Sequence, residues 1–203
     1  MKTKFSIDNW DQIKAHLKFD GPDQYYFLQV LQRKKDHPEG TVVGCNNNSR
    51  LIKPYYIYSV EQYDKYRKEI SMLCQLFEAR ACISLNRLDV KDTCLAMMER
   101  LASNIRSGHY QQASKLFSTV SGATKGDGEK RWILDVDHKN RRAINDMISL
   151  VDKLRPEGVK FVDLIESKSG FHIITSPFDV QEFKKHFPDI EIHKNNPTNI
   201  LIP

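Results

Sequence analysis

Phe161-Val-Asp-Leu-Ile-Glu-Ser-Lys-Ser-Gly-Phe-His-Ile-Ile-Thr175 reads as two strands and the tight turn between them. Phe161 to Ile165 and Phe171 to Thr175 are rich in branched and aromatic side chains, and Glu166-Ser-Lys-Ser-Gly170 supplies the small and polar residues that reverse a chain. A connection this short joins antiparallel strands, because parallel neighbours need a crossover of about a dozen residues or more. The hairpin argues against an all-parallel sheet.

On its N-terminal side, Arg131-Trp-Ile-Leu-Asp-Val-Asp137 is a strand ending in two carboxylates. Ile144, Met147, Ile148, Val151 and Leu154 follow at helical spacing. On the C-terminal side, Asp179 and Glu182 suit the cap of a short helix ending near Phe187. Two further strands run from Ile190 to Ile192 and from Asn199 to Ile202.

The earlier part of the chain alternates in the same manner. Tyr25 to Leu31 reads as a strand running into the basic turn Arg33-Lys-Lys-Asp-His-Pro38, and Gly44-Cys-Asn-Asn-Asn-Ser49 is a turn cluster. Leu51 to Tyr58 is a second strand, and Pro54 places it at an edge or makes it locally irregular. Ser59 occupies an N-cap position with Gln62 at the capping-box site, and Tyr63, Tyr66, Ile70, Leu73, Cys74 and Phe77 mark the helix. After a strand from Arg80 to Leu85, Asp89 caps an amphipathic helix whose apolar face carries Val90, Cys94, Met97, Met98, Leu101 and Ile105. Gly108 to Val120 reads as helical and packed across the sheet, and Ser121 to Lys130 as a polar, glycine-rich loop. The pattern is α+β: a mostly antiparallel, RRM-like sheet with packed helices, plus an N-terminal α/β lobe. We assign residues 1–120 to that lobe and 121–203 to a C-terminal core, and a single domain stays open as the alternative.

A chain of 203 residues buries one substantial core, or one core with a small accessory lobe. The net charge of +5 suits a polyanionic partner but falls well short of a protein that coats nucleic acid. Cys45, Cys74, Cys82 and Cys94 form no C-x-x-C pair, which argues against structural zinc; Cys74 and Cys94 fall on apolar helix faces as small hydrophobes. Reduced thiols, the lack of an apolar signal core near Met1 and the lack of a bilayer-length apolar run point to a cytoplasmic protein with no membrane partner.

Asp135 and Asp137, two apart on a strand, point to one face. Their mutual repulsion is relieved by a cation or by full solvation. Oxygen donors of this kind suit Mg²⁺ or Mn²⁺, which also hold nucleotide phosphates. Alone, the pair is a common solvated strand end. Glu166-Ser-Lys-Ser-Gly-Phe-His172 adds to it a turn whose backbone N–H groups suit an anion, the charge of Lys168, the hydroxyls of Ser167 and Ser169, and His172 facing away from Phe171 and Ile173.

In this order the elements resemble the archaeo-eukaryotic primase superfamily, whose pattern is a D-h-D strand, a helix, a strand ending in an S-x-H or G-x-H turn, and a later acidic residue. Asp135-Val-Asp137 corresponds to the first motif and Gly170-Phe-His172 to the second. Asp189-Ile-Glu-Ile-His193, Lys-Asn-Asn-Pro197 and Thr198 to Pro203 follow the outline of the third, with His193 where the family has a hydroxyl residue and Thr198 where it has a histidine. The resemblance covers about Arg131 to Pro203.

It implies a metal-dependent nucleotidyltransferase of the primase-polymerase type, acting in DNA replication and adding nucleotides to a 3′-hydroxyl on a nucleic-acid template. Asp135, Asp137 and Asp189 would hold two Mg²⁺ or Mn²⁺ ions, with Glu191 the alternative third carboxylate. Lys168, Ser169, Ser167 and His172 would bind the nucleoside triphosphate. The other partners implied are single-stranded or primed nucleic acid and a replication protein. A binding module of the same fold without catalysis is the competing reading, and a solvated acidic pair with no such function is a third.

Other residues have bland readings beside functional ones. Arg33, Lys34 and Lys35 suit a nucleic-acid backbone, although a solvated turn is the simpler account. Arg80 and Arg87 flank the third strand and suit contact with the template, although no spacing argument supports either. Tyr55-Tyr-Ile-Tyr58 suits base stacking, or a strand half core and half surface. Lys125 and Lys130 are candidates for phosphate contact in a loop that lacks a Walker pattern. Arg141 and Arg142 open a helix beside the carboxylates, where a solvated turn again explains them.

Overall fold

The computed structural model describes residues 5–37, 49–123 and 129–203. In chain order the elements are β1 (Ile7–Asp8), α1 (Trp10–Lys14), β2 (Gln24–Arg33), β3 (Ser49–Ile57), α2 (Val60–Leu76), β4 (Arg80–Ser84), β5 (Leu88–Asp89), α3 (Val90–Arg106), α4 (Leu116–Ala123), β6 (Trp132–Val136), α5 (Arg141–Lys153), β7 (Phe161–Glu166), β8 (Phe171–Thr175), α6 (Val180–His186), β9 (Glu191–His193) and β10 (Pro197–Ile202). Short 3₁₀ turns span Lys34–Asp36 and Tyr110–Lys115. The expected turn cluster at 44–48 and Lys125 lie outside the described residues. The fold is α+β, and no helix among the described residues is long and apolar enough to cross a membrane.

Side-chain caps set the helix starts. The Ser59 side chain accepts from the Gln62 amide at 3.1 Å, and Gln62 accepts in return from the Tyr58 amide at 2.7 Å. Asp89, Asn140 and Asp179 cap α3, α5 and α6 in the same manner, each such cap contributing about 1 kcal/mol.

Two antiparallel sheets result. The larger has the order β1-β10-β4-β2-β3 with β5 also beside β2, and the smaller runs β7-β8-β6-β9. Pro54 lies on β3, at an edge, where its missing N–H breaks no ladder on the open side. The last strand, β10, leaves its sequence neighbours and pairs with β4 and β1 in the larger sheet. Residues 197–202 thus sit among the strands of the N-terminal lobe.

Period-two alternation gives the smaller sheet two apolar faces. Leu134, Val136, Phe171 and Ile173 pack under α5 and α6, against Ile144, Met147, Val151 and Phe183. Ile133, Ile165 and Ile174 face the other way into the core of the larger sheet, among Trp10, Ile13, Leu28, Ile83 and Ile200. Polar ties add to this union: Gln12 donates to Asp163 Oδ1 at 2.8 Å, and His16 Nε2 lies 2.6 Å from Asp163 Oδ2.

The far face of the larger sheet carries Tyr25, Phe27 and Leu88. Phe117 of α4 packs edge-on against Phe27, with centroids 4.7 Å apart, so the 108–120 segment does lie across the sheet. The apolar stripe of α3 departs from expectation. Met98 is 68% exposed and Ile105 53%, and Cys94 is exposed too, while Thr93 and Asn104 are buried. The helix turns its polar edge inward, where the Tyr25 hydroxyl donates to Thr93 Oγ1 at 3.1 Å. Amphipathic spacing created a face, but no described element covers it. Cys74, by contrast, is fully buried.

Candidate functional site

The smaller sheet brings the candidate residues together through its register. β6 lies between β8 and β9, and Asp135 is directly opposite His172 on one neighbour and Glu191 on the other. Directly opposed residues share a face, so all three side chains point toward the larger sheet. His193, two residues beyond Glu191, joins them. His172 Nε2 stands 3.5 Å from Asp135 Oδ1, and His193 Nε2 stands 3.9 Å from Asp135 Oδ2 and 3.3 Å from Glu191 Oε2. Asp135, Glu191 and His193 each present a donor atom within 4.8 Å of the other two.

These side chains line a cleft of about 630 Å³ between the sheets, with Arg33, Lys35 and Asn199 on the facing wall. Asp137 and Asp189, both exposed, line it as well but stay outside the three-donor group. An adjoining space of about 270 Å³ shares Asp135, Asp137 and His172 and adds Arg80, Asp36, Ser167, Lys168 and Ser169. The basic turn after β2, for which solvation is the simpler reading, therefore contributes Arg33 and Lys35 to the cleft.

The turn between β7 and β8 owes its shape to two residues. Ser167 is buried; its amide donates to the Gly170 carbonyl at 2.9 Å, and its hydroxyl accepts from the Gly170 amide at 3.2 Å. Gly170 passes so close to the end of β6 that a Cβ there would stand 2.0 Å from the Val136 carbonyl oxygen and 2.6 Å from the His138 amide. Only glycine permits that approach. Lys168 reaches across the sheets to Asp36 Oδ1 at 2.8 Å. Asp36 also takes both arms of buried Arg80, at 2.7 and 2.5 Å. Burial opposes ionisation of Asp36, but the hydrogen bonds from Arg80 and Lys168 outweigh it, and its pKa is lowered.

His172 is held from behind by β10. Its Nδ1 lies 2.8 Å from the hydroxyl of fully buried Thr198, leaving Nε2 toward Asp135. Burial lowers the pKa of His172; Asp135 and Asp137 oppose that shift, and His193 and Arg33 reinforce it. A lowered pKa favours the neutral ring, which can donate or accept one hydrogen bond in the cleft. Asn9 closes this region, donating to the carbonyls of Glu166 at 2.9 Å and Asn199 at 3.0 Å.

Several candidates are committed to other partners. Arg80 is committed to Asp36, and Arg87 to Asp20 at 2.7 Å and the Lys18 carbonyl at 3.1 Å. Arg141 stacks over Phe171 at 4.5 Å, on the helix-covered side of the sheet, away from Asp135. Tyr55 is buried, while Tyr56 and Tyr58 are partly exposed. The residue that motif reading set aside is His193, a departure from the family outline. Its spacing from Glu191, on a strand of the same sheet as Asp135, is the signal that would have found it.

No family model, curated protein or solved structure matches the chain.

Proposed function

We propose that this chain is a metal-dependent nucleotidyltransferase of the primase-polymerase type, adding nucleotides to a 3′-hydroxyl on a nucleic-acid template. The observation that carries the reading is the row His172–Asp135–Glu191 across three adjacent strands, facing Arg33 and Lys35 in one cleft. Under it, the four-stranded sheet with α5 and α6 is an RRM-like core, and the larger sheet completes the catalytic unit.

The donor set fits a divalent cation, since two carboxylates and an imidazole converge within 4.8 Å. Asp135 and Glu191 would hold it, with Asp137 at the margin of the cleft. Bound Mg²⁺ or Mn²⁺ supplies neutralisation of the charge that builds on the attacking and leaving oxygens. The chain's own residues do the rest. Lys168 and Ser169 offer donors to a triphosphate, and His172 offers one more from Nε2. Ser167 holds the turn that presents them. Arg33 and Lys35 draw in the polyanionic strand and its nucleotide. Glu191, opposite Asp135, is favoured over Asp189 as the third carboxylate.

The second reading, a nucleotide- or nucleic-acid-binding module without catalysis, draws on Lys168. Its charge is shared with Asp36, which weakens its hold on a phosphate. A primer-extension and dinucleotide-synthesis assay on single-stranded template, with Mg²⁺ and with Mn²⁺, separates the two. Metal-dependent product from the intact protein and none from Asp135→Asn is expected. Nucleotide or strand binding with no product under either metal leaves the second reading in its place.

A further inference from the structure

We infer that Asp135, Glu191 and His193 form a mixed oxygen–nitrogen site that takes a first-row transition-metal dication in preference to Mg²⁺, with Mn²⁺ the probe that reports it. The inference rests on the nucleotidyltransferase reading for what the cation does there, but not for its binding. Mg²⁺ is a hard ion that prefers an all-oxygen shell and keeps much of its water, whereas imidazole suits the borderline metals. An all-carboxylate site would leave the choice to cellular abundance. His193 changes the donor chemistry.

Two of the three donor pairs stand at the spacing of ligands around one ion, and the third lies within 4.8 Å. Two donors about 2.1 Å from a shared cation stand roughly 3 to 4.2 Å apart, depending on the angle between them. His193 Nε2 is 3.3 Å from Glu191 Oε2 and 3.9 Å from Asp135 Oδ2, both inside that range. The donors come from paired strands, with Asp135 opposite Glu191 and Ile133 opposite His193, so the ladder holds them before any ion arrives. All three side chains line the cleft, which gives an ion a path from solvent. The competing role for His193 is an imidazolium that neutralises the two carboxylates, in which case it excludes a cation.

Titration with Mn²⁺ alone, followed by loss of the free-ion electron paramagnetic resonance signal and then competition with Mg²⁺, decides between these roles. The intact protein should bind Mn²⁺, with Mg²⁺ needed at on the order of tenfold higher concentration or more to displace it. His193→Asp keeps three oxygen donors and should lose most of that preference, while Asp135→Asn should lose binding. His193→Asn serves as a second variant, and melting in chelator shows that each is folded. Co²⁺ absorption in the visible range should change between the intact protein and His193→Asp.

An unchanged Mn²⁺ over Mg²⁺ preference in folded His193→Asp and His193→Asn overturns the inference and leaves the nucleotidyltransferase reading standing. No Mn²⁺ binding by the intact protein also overturns it. Binding that depends on His193, with no nucleotide transfer under any metal, supports the site and removes the polymerase reading instead.

Discussion

The Thr198 hydroxyl lies 2.8 Å from His172 Nδ1, and this contact ties the last strand of the larger sheet to the central face of the smaller one. It orients an imidazole whose other nitrogen faces Asp135. Thr198→Val keeps the shape and removes the partner, leaving a buried nitrogen unpaired at a cost of about 1–3 kcal/mol. Chemical denaturation should register that loss, and Thr198→Ser should recover most of it. An unchanged unfolding midpoint in Thr198→Val would mean that the hydroxyl does not support the ring.

Gly170→Ala tests the close approach of the turn to β6. A methyl group 2.0 Å from the Val136 carbonyl oxygen cannot be accommodated without backbone movement. We expect destabilisation of about 3 kcal/mol, because the obstruction is main chain and not the end of a flexible side chain. The same substitution at Gly21, where a Cβ meets nothing within 4 Å, should be close to neutral. Equal midpoints for the two variants would count against the account of the turn.

Asp36 predicts a pH dependence. Its pKa is depressed in the folded protein, so it contributes stability above its unfolded value of about 3.9 and loses it as pH falls through the folded value. Asp36→Asn also strands Arg80, whose guanidinium is nearly fully buried, and breaking such a pair costs about 3–5 kcal/mol. Urea unfolding should show that deficit at pH 7 and a shrinking gap as the pH drops below about 4. A gap that stays constant with pH would exclude the carboxylate as its source.

The choice of third carboxylate is open to a thermal-shift measurement. At 100 times its dissociation constant a bound ion stabilises by about 2.7 kcal/mol, a shift of several degrees for a chain of this size. Mn²⁺ should raise the melting temperature of the intact protein and of Asp189→Asn, and leave Glu191→Gln and Asp135→Asn unmoved. A shift lost in Asp189→Asn and kept in Glu191→Gln would reverse the assignment.

Met98 and Ile105 on α3 test the uncovered stripe. Each stands more than half exposed, so replacement by Glu should change stability by no more than about 0.5 kcal/mol. A loss of several kcal/mol would mean that the face is buried after all.

Local chemistry made much of this legible in advance. Ser59, Asp89 and Asp179 cap the helices they precede, and Pro54 sits on an edge strand, because caps and prolines act within a few residues. Alternation alone sends His172 away from Phe171 and Ile173. What stayed hidden needed partners remote in sequence. Nothing in Thr198-Asn-Ile-Leu-Ile202 says that it pairs with Cys82 and Ile83 and not with its neighbours. The stripe on α3 announces an apolar face without saying whether anything covers it. Glu191 and Asp189 are equally acidic; the register that sets Glu191 opposite Asp135 separates them.

The route of β10 also bears on how the molecule comes to be folded. Ile7 pairs with Ile202, so the larger sheet closes through a loop that embraces nearly the whole chain. Such non-local closure is slow, since its entropy is lost before its contacts are gained. A cut near residue 120 would leave the earlier fragment without the strand that joins β1 to β4, and the later one with that strand unpaired. Mixed together, the two pieces should regain structure only as a complementing pair, and the cleft with them.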